Sequence, residues 1–202
     1  MEHQRQRTKP KDIAYSLYLY FLGLSFRNAA KALSRFVEKS HVAIWKWIHK
    51  FKPRKVLSNK RKKIDKFAID ETLFKVGSQY TWLWVAIEPK NRQILHIDIS
   101  FDRTMLVAER FIASLVNTYG KHMVSTTDGG TWYPQASRFL KPKYHLHSSL
   151  KKSLIERKIQ YIKDRTDGFD NYFLCRKKKC ISKHIRNWFN LFISQHNKQI
   201  MR

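Results

Sequence analysis

Apolar residues recur at helical spacing through the first fifty positions. Ile13, Leu17, Phe21 and Leu24 form one stripe, Phe26, Ala30, Leu33 and Val37 a second, and Ile44, Ile48 and Phe51 a third. Gly23 separates the first two predicted helices, and Ser25 and Ser40 stand where N-caps belong. The predicted turn before the last helix, Glu38-Lys39-Ser40, is short. Three helices with a tight turn before the third have the shape of a helix-turn-helix, expected over residues 1–51. In residues 52–63 (KPRKVLSNKRKK) the period vanishes, Pro53 stops the helix, and seven of twelve residues are basic, Arg61 and Lys62 among them. This stretch reads as a linker lying on phosphates.

From Ile64 the period shortens. Phe67-Ala68-Ile69-Asp70 predicts a short buried strand with Asp70 at its end, and Thr81–Glu88 a second, with a turn at Val76-Gly77-Ser78. Leu95, Ile97 and Ile99, alternating with His96 and Asp98, predict a third. A helix over Thr104–Thr118 follows, with Val107, Ala108, Phe111, Ile112 and Leu115 inward. Then come a strand from Met123 to Thr127, a helix over Trp132–Leu140 and a strand over Lys143–His147. A helix from Ser153 to about Thr166 carries the stripe Ile155, Ile159 and Ile162; a last one, about Ile181–Gln199, buries Ile185, Trp188, Phe189 and Phe192. Hairpin-joined strands followed by alternating helices and strands predict an α/β fold: a mixed sheet flanked by helices over residues 64–202, in the element order of ribonuclease H, preceded by the small all-α domain.

Charge narrows the function. The chain has 41 Lys and Arg against 15 Asp and Glu, a formal +26 over 202 residues. So basic a domain repels itself unless a polyanion neutralises it, and Lys and Arg gain affinity by releasing counterions from phosphates. An anionic membrane surface would take the same charge, but it predicts a basic amphipathic helix at one end, and here the cations are spread along the whole chain. Basic residues ahead of the apolar run Ile13–Phe26 imitate a signal peptide; Tyr15, Ser16, Tyr18, Tyr20 and Ser25 interrupt that run, which is also too short to span a bilayer. With Cys175 and Cys180 alone there is no disulfide framework. The expectation is an intracellular, cytoplasmic and nucleoid-associated protein that binds double-stranded DNA and no membrane.

Acids are scarce, so each can be weighed. Asp70 ends one predicted strand, and Asp128 follows another in Thr-Thr-Asp-Gly-Gly, where Gly129 and Gly130 allow a sharp turn and close approach of a phosphate. Strand ends at a sheet rim commonly bind ligands. Glu156 lies on a helix flank beside the Ile155 stripe. Three carboxylates converging there would suit hard cations such as Mg²⁺. Two ions about 4 Å apart can activate an attacking oxygen and stabilise a leaving oxygen in phosphodiester transfer.

These stretches carry a family resemblance. Ile69-Asp70-Glu71-Thr72, Thr126-Thr127-Asp128-Gly129, and Ile155-Glu156-Arg157 leading to Lys163-Asp164-Arg165-Thr166 resemble the DDE transposases of prokaryotic insertion sequences, of the sixth insertion-sequence family type, with a retroviral-integrase-like core. The resemblance implies that Asp70, Asp128 and Glu156 are the catalytic triad holding two Mg²⁺ (or Mn²⁺) ions. It also implies partners: transposon-end and target DNA, and a homodimer or higher in the synaptic complex. The family tends to place a basic residue two helical turns after its Glu, and Lys163, seven positions after Glu156, fits. Glu156 follows Asp128 by 28 positions, somewhat fewer than the family's usual gap, so an inactive copy acting only as a helix-turn-helix regulator is the rival reading.

Other residues have simpler alternatives. Ser153-Leu154-Ile155-Glu156 also matches a capping box, in which Glu156 would serve its own helix start. Asp98 and Asp102 are expected to be solvated, and Glu71 to point away from Asp70 across the strand. In the third N-terminal helix, Ala43, Lys46, Trp47 and Lys50 share the face opposite Ile44 and Ile48; they are expected either in the DNA major groove or as a solvated basic face. Cys175 and Cys180 with His184 hint at zinc, but the spacing is loose and a fourth ligand is missing, which favours a basic loop. Trp82, Trp84 and Trp188 are expected in the core.

Overall fold

A computed structural model describes residues 8–50, 64–76, 79–126, 132–140, 143–146, 149–166 and 178–200. The chain divides into two compact units, Met1–Pro53 and Arg54–Arg202.

The first unit holds α1 (Pro10–Phe21), α2 (Phe26–Leu33) and α3 (His41–Lys50). Ser25 and Ser40 act as the sequence suggests: the hydroxyl of Ser25 accepts from the Asn28 amide and that of Ser40 from the Ala43 amide, both at 3.2 Å. Gly23, at φ 112°, makes the reversal between α1 and α2 that a side chain would strain. Leu17, Leu19, Phe21, Phe26, Ala29, Leu33, Ile44 and Ile48 form the buried centre. The helix α2 stops four residues short of Val37. The Ser34 hydroxyl bonds back to the Lys31 carbonyl, and the amides of Phe36 and Val37 both turn onto the Leu33 carbonyl. The connection to α3 is therefore longer than the three-residue turn expected.

The second unit is built on a five-stranded sheet in the order β3-β2-β1-β4-β5, the ribonuclease-H-like arrangement. Its strands are β1 (Lys66–Val76), β2 (Gln79–Ile87), β3 (Ile94–Ser100), β4 (Met123–Thr126) and β5 (Tyr144–Leu146). The first three form an antiparallel meander; β4 pairs parallel to β1, and β5 parallel to β4. The strand β1 is longer than expected, and Asp70 lies in its middle, opposite Val85, with Glu71 opposite Trp84. Glu-Thr-Leu-Phe-Lys-Val contains no breaker, so pairing with β2 carries the strand on although its polar residues dilute the apolar run.

Alternation along β1 sorts its side chains onto two faces. Phe67 and Ile69, with Trp84 and Ala86 of β2, pack beneath α4 (Met105–Tyr119) and α5 (Trp132–Leu140) through Phe111, Ile112, Leu115, Tyr133 and Ala136. The other face, which carries Asp70 and Phe74, is covered by α6 (Ser149–Thr166) and α7 (Lys178–Ile200). Phe74 meets Phe189 of α7 edge-on at 6.1 Å, and α6 lies against β1. Tyr161 of α6 packs on Phe192 of α7 at 5.5 Å, and Ile155, Ile159 and Ile162 are buried as the periodicity implies. The buried Asn197 side chain takes both backbone groups of Ile94, accepting from its amide at 3.0 Å and donating to its carbonyl at 2.8 Å, which fastens α7 to β3. Among the described residues no helix is long and apolar enough to cross a membrane.

Candidate active site

Asp70 is half-buried on the α6–α7 face of the central strand. Among the described residues β1 pairs beyond it with β2 alone, and the last β1–β4 pair described is Ile69↔Thr126, one residue before Asp70. Thr126 is the last residue of β4, and Asp128 lies outside the described residues. Glu156 is exposed on α6, next to the fully buried Ile155. The fold thus brings the strand of Asp70 and the helix of Glu156 together. Both acids offer oxygen alone, the donor type that hard divalent cations take. Among the described residues no group of three His, Cys, Asp or Glu side chains is gathered to hold a metal.

The start of α6 decides one alternative. The helix begins at Ser149, so Ser153 lies a full turn inside it. A capping box needs its Ser at the non-helical N-cap, and that reading of Glu156 is overturned. Glu156, Gln160 and Lys163 then follow one another along one side of α6 at i, i+4 and i+7. Lys163 is half-buried, and Gln160, which the sequence did not single out, donates to Asp164 at 2.8 Å.

Glu71 turns to the α4–α5 face, away from Asp70, and there it makes a contact no motif announces. Its side chain is fully buried. Arg103 reaches it twice at one oxygen, through Nη2 at 2.5 Å and Nε at 2.7 Å, and the Tyr133 hydroxyl donates to the other. The Arg103 guanidinium lies 4.8 Å from the Trp82 ring centre and 4.3 Å from that of Trp132. This network joins β1, beside Asp70, to the first turn of α5. One signal was available: alternation puts Glu71 in line with Phe67 and Ile69, on a core face where a lone carboxylate needs a cation. Trp84 and Trp188 are buried, whereas Trp82 is half-buried and serves as a platform for Arg103.

Two further acids were expected in solvent. Asp102 is exposed, but Asp98 pairs with Arg186 at 3.0 Å, because α7 crosses the edge strand there. On α3, Lys46 and Lys50 are exposed, Ala43 and Trp47 half-buried, and Ile44 and Ile48 buried. Val42 and Trp45, which the sequence did not single out, share the exposed side, with the Trp45 ring tilted against His49 at 4.2 Å between centroids. Arg61, Lys62 and Cys175 lie outside the described residues, as does the side chain of Cys180.

Where α6 passes the β2–β3 turn, cations gather. Lys158 donates to His196 Nε2 at 3.0 Å. Burial, with Lys158 beside it, holds the His196 ring down at about 4, so the ring is a neutral acceptor near pH 7. Burial and the Arg92 charge lower Lys158 to about 8. His96, stacked on Phe111 at 5.1 Å, is lowered by burial against the opposing pull of Asp98.

Comparison with known proteins agrees with this architecture. A family model described as a DDE domain matches residues 64–175, just over half of the chain. An uncharacterised protein of Methanocaldococcus jannaschii is 32% identical over 180 residues, covering 89% of this chain and 82% of its own. The transposase for insertion sequence element IS257 in transposon Tn4003 of Staphylococcus aureus is 29% identical over 183 residues, 85% of this chain and 81% of that protein. In fold, a chain of the simian T-cell lymphotropic virus intasome, solved with the PP2A regulatory subunit B56 gamma, matches with a TM-score of 0.50 at 14% identity, over 84% of this chain and 66% of that one.

Proposed function

Because the chain belongs to the DDE transposases of insertion sequences, we propose that it cuts and joins DNA with Asp70, Asp128 and Glu156 as the carboxylates that hold two divalent ions, Mg²⁺ or Mn²⁺. The observation that supports this best is the site's frame. Asp70 stands one residue past the last described β1–β4 pair, Asp128 follows Thr126 by two positions in the sequence, and the helix of Glu156 packs on β1. When bound, such ions supply charge stabilisation for the attacking and leaving oxygens of phosphodiester transfer.

The chain's own residues do the rest. Half-burial of Asp70 keeps water sparse around it, which strengthens electrostatic contacts with a charged backbone. Lys163 holds a phosphate of the element's end beside Glu156, and the cationic α3 face, with Lys46 and Lys50, carries the terminal inverted repeat; Ala43 and Trp47 meet the bases, and Arg61 and Lys62 the phosphates. Water attacks a phosphorus at each end, and the bond to the 3′ oxygen breaks, releasing a 3′-hydroxyl. That hydroxyl then attacks a target phosphorus and displaces another 3′ oxygen. Two ends must be held at once, so the working form is a dimer or larger.

Strand transfer with duplexes carrying the element's own ends tests this. The wild type should join ends in Mg²⁺ and not in EDTA. Asp70→Asn should lose joining by at least a hundredfold while binding the same duplex. Joining that survives in Asp70→Ala would end the assignment. Equal cleavage of scrambled ends would identify a structure-specific nuclease instead, and DNA binding without cleavage by the wild type a regulator.

A further inference from the structure

A cavity of about 160 Å³ opens between α6 and the β2–β3 turn, lined by Ile87, Pro89, Arg92, Leu154, Arg157 and Lys158. One water needs only about 10–15 Å³ of such space, so the cavity is room enough for a tetrahedral oxyanion. One wall is apolar and the other carries three cations. The lining brackets Glu156 in sequence and does not include it. We propose that this cavity binds a single phosphate group, and that its source is the backbone of the DNA strand running past α6.

The backbone that carries the site is held in place; Arg92 and Arg157 are exposed on it and Lys158 is half-buried. Arg92 sits on a turn that is locked from several sides. The Glu88 carboxylate accepts from the Asn91 amide at 2.8 Å, the Asn91 side chain accepts from the Gln93 amide at 3.0 Å, and the Glu88 amide bonds the Gln93 carbonyl at 2.9 Å. Asn197 pins the next residue, Ile94. Arg92 itself takes φ 60°, the left-handed region that a side chain enters at a cost, so its position is imposed by the turn. Lys158, on the facing helix, is half-buried. The usual partner of a half-buried lysine is a carboxylate. Here it is the neutral ring of His196, so no carboxylate among the described residues pairs with Lys158. Among the described residues neither Arg92 nor Lys158 makes an ion pair. A half-buried lysine paired with no carboxylate, facing the arginine of a turn whose backbone is held, has less to reorganise on binding an anion than freely solvated cations would. An Arg fork and a Lys point charge together suit phosphate.

The DNA source rests on the transposase reading; the phosphate site does not. The test therefore uses binding alone, in EDTA, with the full-length chain. Arg92→Asn removes the charge while keeping a residue that tolerates the left-handed turn, and Arg92→Lys restores the charge. Inorganic phosphate at about 20 mM should raise the melting temperature of the wild type and of Arg92→Lys above that in sodium chloride of equal ionic strength, and should do so much less for Arg92→Asn. With a duplex of about 20 base pairs, the plot of log K against log salt should lose roughly one unit of slope in Arg92→Asn, and affinity should fall several-fold at about 0.1 M salt. Phosphate protection through Arg92 with an unchanged DNA slope would keep the site and overturn its DNA source in favour of a free phosphorylated molecule. No protection of the wild type beyond the chloride control, and no change in slope, would overturn the site itself. None of these readouts depends on strand transfer, so they stand apart from the Asp70 result.

Discussion

Arg103→Ala should destabilise the second unit by about 4 kcal/mol, and the structure supplies each part of that figure. The Glu71 side chain has no solvent exposure, while that of Arg103 keeps 29%. Removing the guanidinium leaves a carboxylate in the core with the Tyr133 hydroxyl still donating to it. Breaking a buried pair from one side costs about 3–5 kcal/mol, and the open side of Arg103 admits water, which favours the lower end. Loss of the cation from between Trp82 and Trp132 adds about 0.5–1 kcal/mol at each ring. At roughly 2–4 °C per kcal/mol for a chain of this length, the melting temperature should drop by about 8–16 °C. Thermal and urea unfolding followed by tryptophan emission would read this directly, since both indoles face the lost group. The double variant Arg103→Ala/Glu71→Leu should recover at least half of the loss, because the stranded carboxylate is its main source. A single variant within about 1 kcal/mol of wild type, or a double variant no more stable than the single, would refute this account.

Acid should weaken the fold through His196. Its value in the folded protein, about 4, lies below the ordinary ~6.5, so the unfolded chain takes up the proton first. Its contribution is complete above about pH 6.5 and is lost progressively down to about 4, with His96 acting in the same direction. The urea midpoint of His196→Gln should therefore fall less between about pH 7 and pH 5 than that of the wild type. Asn197→Ala strands the amide and carbonyl of Ile94 and should cost about 2–4 kcal/mol in urea unfolding, whereas an effect under about 1 kcal/mol would show that water replaces both bonds. Lys46→Ala and Lys50→Ala, on the exposed side of α3, should each reduce the salt slope of binding to an inverted-repeat duplex by about one unit; unchanged slopes would remove that helix from the interface.

What the sequence by itself determined was whatever its periods and charges encode locally. The buried Leu17, Phe21, Phe26, Leu33, Ile44 and Ile48 of α1–α3, the inward face of α4, the span of α5 and the Ile155–Ile159–Ile162 row all follow from residues three or four apart, and serine capping from residues three apart; Leu19 and Ala29, buried where Ile13 and Ala30 were expected, did not. Charge pointed to a polyanionic partner, because it sums over residues wherever they lie. Helix and strand ends were less legible: β1 ran on past Asp70 because β2 was there to pair with it, and α6 began a turn early, so Ser153 never capped it. Tertiary structure alone decided what depends on residues far apart in the chain. Glu71 meets Arg103 and Tyr133 across 32 and 62 positions, Ile94 meets Asn197 across 103, and Arg92 meets Lys158 over a cavity between a turn and a helix. Glu71 and Asn197 are buried polar groups whose partners are chosen by packing, and Arg92 and Lys158 face each other for the same reason; no local pattern carries that choice.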